Sequence, residues 1–278
     1  KNPTPTGGGA VFFIVTFFGS ILNLIFKNEW SIINLFPLVS LPIIVVSMID
    51  DFTNVKIKYR LIMQVLTSTI YVYFTSLNIN FNNSIIGIII FLFFILISTT
   101  ILNVCNFMDG LDGLLSGSLV IVICTCVFLL NISNNTFYLL IGSILSFIIF
   151  NKYPAKIFMG DVGSIFLGCI YSFLIFQSPD VKTFLSLLLL GTPLFCDSLI
   201  TILRRFFSKQ NIFVGHKLHL FQRLNGAGWK QSKISIIYTF STLFISRILS
   251  FTNSAPCAFA FSARTVPNLP GERHRATL

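Results

Sequence analysis

SIIGIIIFLFFILISTTILNVCNFMDGLDGLLSG, residues 84–117, joins an unbroken apolar run to a polar, glycine-rich segment. The apolar part, 85–102, is long enough to cross a hydrocarbon core of about 30 Å as a helix. Strands of a membrane barrel would alternate polar and apolar residues over about ten positions, and this run does not. The following part, NVCNFMDGLDGLLSG (103–117), contains two aspartates, two asparagines and three glycines. The stretch therefore predicts a membrane helix that ends in a polar turn or a polar site.

The whole chain has the composition of an integral membrane protein, since 54% of its 278 residues are hydrophobic and only 10% are charged. We predict an all-α, polytopic helical bundle with about nine spans. The candidate spans are 10–26, 32–49, 61–77, 85–102, 114–130, 137–150, 165–177, 183–199 and 233–250. The runs at 137–150 and 165–177 are short for a full crossing, so one of them is a candidate re-entrant segment.

The positive charges alternate between the segments that join these runs. One alternate set holds 13 of the 19 Lys and Arg residues, whereas the other holds only Lys27 and Lys182. The richer set comprises 1–9, 50–60, 103–113, 151–164 and 200–233. By the positive-inside rule this set faces the cytoplasm. Membrane topology thus explains the net charge of +10, and no nucleic-acid partner is expected.

The composition changes near the C-terminus. Residues 1–253 are predicted to form one membrane-embedded domain. Residues 254–278, which include APCAFAFSARTVPNLPGERHRATL, have Ala, Arg and Pro without apolar periodicity. We expect this segment to be a disordered or non-native tail.

Six of the nine acidic residues lie at the predicted cytoplasmic ends of spans. They are Asp50, Asp51, Asp109, Asp112, Asp161 and Asp197. An ionised carboxylate costs about 3 kcal/mol at the centre of a membrane helix, so such residues need partners or a polar cavity. A ring of carboxylates has two plausible uses, which are to hold a divalent cation or to relay protons or ions. Hard cations such as Mg²⁺ take oxygen ligands together with water and substrate phosphates.

Cationic residues are predicted on the same face. The segment RRFFSKQNIFVGHKLHLFQRL (204–224) supplies Arg204, Arg205, Lys209, His216, Lys217, His219 and Arg223. The stretch PTPTGGG (3–9) offers backbone N–H groups that could approach an anion closely. Carboxylates for a metal beside cations for phosphates are typical of a phosphoryl-transfer site.

Each piece also has a structural explanation. The pair Asp50–Asp51 could be a helix end that meets water, DGLDG could be a turn, and the basic segment could only fix topology. The main alternative function is an ion- or proton-coupled transporter, in which acids in the membrane form the pathway. A non-catalytic membrane scaffold is a third alternative. The clustering of the acids at one face favours a phosphoryl-transfer enzyme over both alternatives.

Five motifs resemble those of a known family. PTPTGGGA, DDFTN, NVCNFMDGLDGLLSG, FMGDVGSIFLG and HKLHLFQRL, in this order and spacing over roughly residues 1–250, are similar to those of the polyprenyl-phosphate N-acetylhexosamine-1-phosphate transferases. The resemblance implies a glycosyltransferase family 4 enzyme that transfers a sugar 1-phosphate from a UDP-sugar to undecaprenyl phosphate and releases UMP. It implies Mg²⁺ as cofactor, with Mn²⁺ as an alternative.

The resemblance also implies roles for individual residues. Asp161 and Asn106 would be the metal ligands, and Asp50 and Asp51 would lie by the lipid phosphate, with Asp50 as candidate general base. The implied catalytic set is Asp50, Asp51, Asp161, His216 and His219. The implied substrate-binding set is Asn103, Asn106, Asp109, Asp112, Phe158, Lys217 and Arg223.

Departures from the family pattern refine the expectation. Asn54 stands where some members carry a third aspartate, so it is given no metal role. The His-x-x-His pattern of HKLHLFQRL is similar to the branch that starts O-antigen, lipopolysaccharide or capsule glycans, rather than to the pentapeptide transferase of cell-wall synthesis. Family members carry a span before PTPTGGG, so we expect the first helix to be missing from this chain. The implied location is the bacterial inner membrane, with the site facing the cytoplasm and a homodimer as a possible assembly.

Overall fold

The computed structural model of the chain describes residues 3–26, 30–53, 55–74, 77, 85–210 and 219–263, with side chains as far as Thr252. Within these ranges the structure has eleven α-helices and no strand. The helices are α1 (Ala10–Phe26), α2 (Ile32–Thr53), α3 (Ile57–Tyr73), α4 (Ile85–Met108), α5 (Leu114–Leu129), α6 (Asn135–Asn151), α7 (Gly160–Phe176), α8 (Val181–Leu190), α9 (Thr192–Phe207), α10 (Leu220–Gly226) and α11 (Gln231–Ala263).

Helix α7 is the centre of the bundle. Every residue from 162 to 176 is buried, because α1, α2, α3, α4, α5 and α8 all pack against this helix. Aromatic rings fill the space around it. The Phe36 ring stacks at 5.1 Å on Phe173 of α7 and at 5.5 Å on Phe137 of α6. A helix that is apolar on all sides is expected only where all sides are covered.

The outer helices expose apolar side chains. On α4, for example, Ile89 is 59% exposed and Leu96 is 61% exposed. Such surface would be costly in water, whereas in a bilayer it contacts lipid chains of the same polarity. The prediction of a helical membrane protein is confirmed.

The number of full-length spans is smaller than predicted. Among the described residues, α2, α4 and the 231–252 part of α11 are long and apolar enough to cross a membrane, and a bent pair of helices could form a fourth span. Helices α1, α5, α6 and α7 are apolar but have only 16 or 17 residues. The two short runs at 137–150 and 165–177 each lie in one continuous helix, α6 and α7.

The run at 183–199 was predicted as one span but forms the bent pair, in which α8 and α9 meet at 73°. Gly191 stands at the break, and Tyr171 of the central helix stabilises it. The Tyr171 hydroxyl accepts from the Gly191 N–H at 2.9 Å and donates to the Leu187 carbonyl at 2.8 Å. A Cβ at position 191 would lie 2.6 Å from the Phe195 ring and 2.8 Å from the Tyr171 hydroxyl, so a larger residue would displace these side chains.

Helix α11 continues to Ala263. The first residues of the segment 254–278 are therefore helical, and 264–278 lie outside the described residues. The separate character of this tail stays a prediction.

Candidate active site at the acidic end of the bundle

One cavity of about 490 Å³ lies where several helix ends meet. The N-terminal loop, the end of α2, the loop after α4, the start of α7 and the start of α11 form its wall. The lining residues are Thr6, Asp51, Asp109, Gly110, Leu111, Asp112, Asn151, Phe158, Gly160, Asp161 and Gln231. Four of the six acids that the sequence placed at one face thus share one cavity, and we call this end of the bundle the acidic end.

The glycine-rich N-terminal loop packs against the loop before α7. The N–H groups of Gly8 and Gly9 donate to the carbonyls of Phe158 (3.0 Å) and Met159 (2.9 Å). A Cβ on Gly9 would lie 2.3 Å from the Gly163 Cα, so glycine permits this close approach of α1 and α7. The expectation that this loop offers its N–H groups to an anion is wrong for Gly8 and Gly9, because their N–H groups are already used.

Asp51 stabilises the first turn of α7. Its Oδ1 accepts from the Asp161 N–H at 3.0 Å, which satisfies one of the N–H groups that lack a partner at a helix start. Gly160 precedes with a φ of +77°, and a Cβ there would lie 3.2 Å from Asp51 Oδ2. The helix start and the Asp51 carboxylate therefore hold the Asp161 side chain at the cavity wall.

Arg60 of α3 joins two of the predicted catalytic carboxylates. Its Nη1 contacts Asp50 Oδ2, and its Nη2 lies 3.1 Å from Asp161 Oδ2. The other oxygen of Asp50 accepts from the Val55 N–H at 2.6 Å. Both Asp50 oxygens are thus engaged, and Asp50 does not line the cavity. Its role as general base stays a prediction.

The sequence reasoning missed Arg60, although a signal was present. Arg60, Gln64, Ser68 and Tyr71 recur at three- and four-residue spacing along α3, and the last three are buried. Such a polar stripe on a membrane helix predicts a face turned toward the bundle interior.

The Asn106 amide completes the contacts around Arg60. With its orientation assigned from the hydrogen-bond network, its oxygen lies 2.5 Å from Arg60 Nη2, and its nitrogen donates to Ser164 Oγ at 2.9 Å and Asp161 Oδ1 at 3.2 Å. An oxygen of Asn106 and an oxygen of Asp161 therefore converge on one cationic nitrogen. Ser164, one turn after Asp161, is a second residue that the sequence reasoning missed.

The cavity brings Asp109 close to other negative charges. Burial first, and then the charges of Asp161 and Asp51, raise the pKa of Asp109 to about 7. A carboxylate with this environment favours the entry of a cation or of a hydrogen-bond donor.

Asp112 and Phe158 also line the cavity, and both are tied to the surrounding loops. Asp112 Oδ2 accepts from the Ala155 N–H at 2.9 Å. Phe158 is 41% exposed, and its backbone N–H donates to the Pro5 carbonyl at 2.9 Å. Asn151, which the sequence reasoning missed, accepts from the Gly113 N–H at 3.1 Å. These contacts fix the loop after α4 to the loop before α7.

Asn103 lies one turn deeper than Asn106 and does not line the cavity. Its amide nitrogen donates to Gln64 Oε1 at 2.8 Å and to the Thr99 carbonyl at 2.9 Å. The structure therefore places Asn103 between α3 and α4, and its substrate-binding role stays a prediction.

Asp197 has a structural position that the sequence did not reveal. Its carboxylate accepts from the Leu220 N–H at 2.7 Å and from the Tyr238 hydroxyl at 2.6 Å, so it caps α10. The His219 Nδ1 lies 3.6 Å from Asp197 Oδ1. Asp197 is thus separate from the acids of the cavity, and it positions the end of the basic segment.

Helix α10 packs beside the cavity. A Cβ on Gly110 would lie 2.8 Å from the Phe221 ring, which is fully buried. His219 is buried and stacks on Phe221, while Arg223 is exposed. The structure thus brings His219 and Arg223 to the acidic end, and His216 and Lys217 lie outside the described residues.

The donor set at this end fits a hard cation. Among the described residues no three His, Cys, Asp or Glu side chains cluster in the way a protein-only metal site requires. Mg²⁺ needs fewer protein ligands, because one or two carboxylates usually suffice when water and substrate phosphates supply the rest. The oxygens of Asp161 and Asn106 already converge on the Arg60 guanidinium, which is a cation.

Comparisons with known proteins show the family of the chain. The model of glycosyl transferase family 4 matches residues 10–178. The phospho-N-acetylmuramoyl-pentapeptide-transferase of Petrotoga mobilis is 30% identical over 86% of this chain and 80% of its own length. The corresponding protein of Prochlorococcus marinus is 30% identical over 81% of this chain and 67% of its own length.

A second kind of relative is the probable undecaprenyl-phosphate N-acetylglucosaminyl 1-phosphate transferase of Bacillus subtilis. It is 35% identical over 52% of this chain and 43% of its own length. The family match covers the two aspartates of α2, the loop after α4 and all of α7, which together form most of the cavity wall. The chain therefore belongs to glycosyl transferase family 4, the family of the polyprenyl-phosphate hexosamine-1-phosphate transferases.

Proposed function

We propose that the chain transfers an N-acetylated hexosamine 1-phosphate from a UDP-sugar to undecaprenyl phosphate and releases UMP. The observation that carries this proposal is the convergence of Asp51, Asp109 and Asp161 on one cavity, beside an arginine that bridges Asp50 and Asp161. A site for phosphates needs both a place for a metal and fixed positive charge. The names of the relatives support the choice of a sugar-phosphate donor and an undecaprenyl phosphate acceptor.

In the proposed reaction an oxygen of the lipid phosphate attacks the phosphorus that carries the sugar. A new P–O bond forms there, the bond between this phosphorus and the oxygen of the uridine monophosphate breaks, and UMP leaves with that oxygen. The acceptor is already an oxyanion, so proton removal contributes little to the rate. The main barrier is the approach of two anions, which fixed cations and a bound metal reduce.

Arg60 is suited to lower this barrier. Its guanidinium contacts Asp50 through one nitrogen and Asp161 through the other, and its side chain is 24% exposed. A planar guanidinium binds phosphate oxygens with two parallel hydrogen bonds. In our proposal Arg60 orients the two carboxylates and attracts the phosphates, while Asp50 supports Arg60 instead of taking a proton.

Asp161 and Asn106 would hold Mg²⁺, with Mn²⁺ as a substitute, because the Asp161 carboxylate lines the acidic cavity and the Asn106 amide lies 3.2 Å from it. When bound, the metal supplies charge stabilisation for the departing UMP. Asp51 keeps Asp161 in place through the Asp161 N–H.

The nucleotide is proposed to lie on the side of Asp109, Asp112 and Phe158. Phe158 offers a half-exposed ring on which a uracil base could stack. His219 and Arg223, together with His216 and Lys217, are proposed to contact the diphosphate. Helix α10 supports this, because it packs on the loop that contains Asp109 and Gly110.

The proposed sugar is an N-acetylated hexosamine, and the proposed pathway is the first membrane step of a surface glycan such as O-antigen. The spacing of His216 and His219 supports a donor without the pentapeptide. The site is proposed to face the cytoplasm, since 13 of the 19 Lys and Arg residues belong to segments at that end.

The orientation can be tested by cysteine labelling. In a background from which the native cysteines have been removed, Ser208→Cys should react with an impermeant reagent only in inside-out vesicles. Lys182→Cys, at the other end of the bundle, should react only in right-side-out vesicles. The opposite pattern would contradict a cytoplasmic site.

The function is tested by UMP release. The purified full chain would be given undecaprenyl phosphate, Mg²⁺ and, one at a time, UDP-linked N-acetylglucosamine, its 6-deoxy relatives and UDP-N-acetylmuramoyl-pentapeptide. We expect release that requires both lipid and metal and that is strongest without the pentapeptide. Folded protein that releases no UMP from any of these donors, but moves ions across vesicles, would support the transporter instead.

A further inference from the structure

A larger cavity of about 810 Å³ lies between α5, α6 and α11, away from the acidic end. Its lining residues are Val120, Ile121, Cys124, Thr125, Phe128, Leu145, Leu243, Ser246, Arg247, Ser250 and Phe251. Arg247 is 16 residues after Gln231, which lines the acidic cavity. At a rise of 1.5 Å per residue this separation is roughly 24 Å along α11. The groove therefore belongs to the half of the bundle that is remote from the proposed reaction.

The walls of the groove are apolar and open outward. Phe128 is 65% exposed, Leu145 is 51% exposed and Phe251 is 77% exposed. At the base of the groove the hydroxyls of Thr125 and Ser246 share a hydrogen bond of 2.7 Å, which joins α5 to α11. The base is thus closed by paired neutral groups, and the open side faces the direction of the lipid.

Among the residues whose side chains the structure describes, Arg247 is the one charged side chain that lines this groove. It is exposed, and it belongs to the 231–252 part of α11, which is apolar enough to span a membrane. None of the ion pairs found among the described residues includes Arg247. An arginine within a membrane span is costly unless it reaches the interface or acquires a counter-charge.

The described part of the chain offers little negative charge at that end. Of the described acidic residues, Asp180 alone lies there, and its carboxylate caps α8 by accepting from the Thr183 N–H at 2.9 Å. A second copy of the described part of the chain would therefore bring no free carboxylate to Arg247. An amphiphile with an anionic head and apolar chains matches both the charge and the walls of the groove.

We propose that this groove binds an acidic phospholipid, with its phosphate on Arg247 and an acyl chain along Phe128, Leu145 and Leu243. The lipid belongs to the leaflet opposite the acidic end. The proposal is independent of the proposed transfer reaction, because none of the groove residues lines the acidic cavity.

The test compares two lipids with the same acyl chains, phosphatidylglycerol and phosphatidylcholine. Each is titrated into the detergent-purified full chain, and bound lipids are counted by native mass spectrometry. We expect the wild type to bind phosphatidylglycerol about fivefold more tightly, which is the preference that one arginine provides at an anionic surface. Arg247→Lys should keep the preference and Arg247→Gln should lose it.

Two further variants make the test specific. Lys182→Gln removes an exposed positive charge at the same end of the bundle, outside the groove, and should leave the preference unchanged. Cys124→Trp fills the groove from an exposed position and should weaken the binding of both lipids. Arg247→Gln protein that still prefers phosphatidylglycerol would overturn the proposal. The proposal would also be overturned if the wild type showed no lipid preference and formed a dimer that the Arg247→Gln substitution dissociates.

Discussion

The two ends of this bundle are both polar, but they are built from different chemistry. At the end remote from the acids, neutral groups of α1, α2 and α6 satisfy one another. Asn23 Nδ2 donates to Thr136 Oγ1 at 2.9 Å, and Asn134 Nδ2 donates to Asn34 Oδ1 at 3.0 Å. At the acidic end, Asp51, Asp109 and Asp161 share a cavity, and Arg60 is the cation that bridges Asp161 to Asp50.

The neutral cluster of Asn23, Asn34, Asn134 and Thr136 is a structural clamp, whereas the acidic end is a candidate site. Paired amides gain hydrogen bonds without mutual repulsion, so their arrangement needs no ligand. Carboxylates held close together repel one another, and this repulsion adds to burial, the larger cause, in raising the pKa of Asp109 to about 7. A protein retains such an arrangement where a cation or a substrate compensates it.

The largest effect is expected for Asp161→Asn. The change removes the anionic ligand of the proposed metal, and metal charge stabilisation is worth several kcal/mol, so transfer should fall by about 10³-fold or more. The matched control is Asp180→Asn at the opposite end, which keeps a residue able to cap α8 and should retain full activity. Rates of UMP release with thermal unfolding of both variants provide the measurement. Equal activity of the two variants would contradict a functional role for the acidic end that the opposite end lacks.

A smaller loss is expected for Arg60→Gln. Without the guanidinium, Asp50 and Asp161 lose their shared cation, and a fixed charge near developing anions is commonly worth about 10²-fold in rate. Arg60→Lys should recover part of the rate, because it restores the charge but not the fork that contacts both carboxylates. Steady-state rates across Mg²⁺ concentrations measure this. A glutamine variant as fast as the lysine variant would show that Arg60 only fills space.

Asn134→Ala tests the clamp at the other end. The variant loses the N-cap of α6, where Asn134 accepts from the Thr136 N–H at 2.8 Å, and the bond to Asn34. We expect a loss of about 2 kcal/mol of stability, or roughly 5 °C in Tm, with the rate per folded molecule unchanged. Thermal unfolding and UMP release in the same preparation test this. A reduced rate in fully folded protein would give this end a functional role.

The smallest effect is a pH dependence that Asp109 introduces. In the folded chain the carboxyl keeps its proton up to about pH 7, whereas in the unfolded chain it loses it near its ordinary pKa of about 3.9. The folded state therefore loses stability as the pH rises from about 4 to about 7 and changes little above that. Solvent screening limits the change in Tm to about 2 °C. Asp109→Asn should flatten the Tm profile over this range, and an unchanged slope would contradict the assigned environment.

The sequence predicted the parts of the fold and site that depend on local pattern. Apolar runs revealed the helices, and the motifs around Asp51, Asp109, Asp112 and Asp161 correctly indicated that distant segments meet. The break at Gly191 was missed, because it depends on the hydroxyl of Tyr171, a tertiary partner that periodicity does not reveal. The same limit explains Asp197, whose carboxylate looks like another site acid in sequence but caps α10 in the structure.

Arg60 was missed for a different reason. It lies in a segment with Lys56 and Lys58, and all three were counted as topology determinants. What distinguishes Arg60 is its phase on α3, which turns it inward with Gln64 and Ser68. The position of Arg60 on the inward face of α3 thus indicated a role inside the bundle, whereas its location at one side of the membrane indicated only topology.

The most direct test of the central claim follows the phosphorus atom itself. The UDP-sugar is labelled at the phosphate that carries the sugar and incubated with undecaprenyl phosphate, Mg²⁺ and either the wild type or Asp161→Asn. We predict that the label enters the organic phase as a lipid-linked diphosphate sugar, one for each UMP released, and that Asp161→Asn transfers almost none. Label that stays in the aqueous phase with folded wild-type protein and the correct donor would contradict the account.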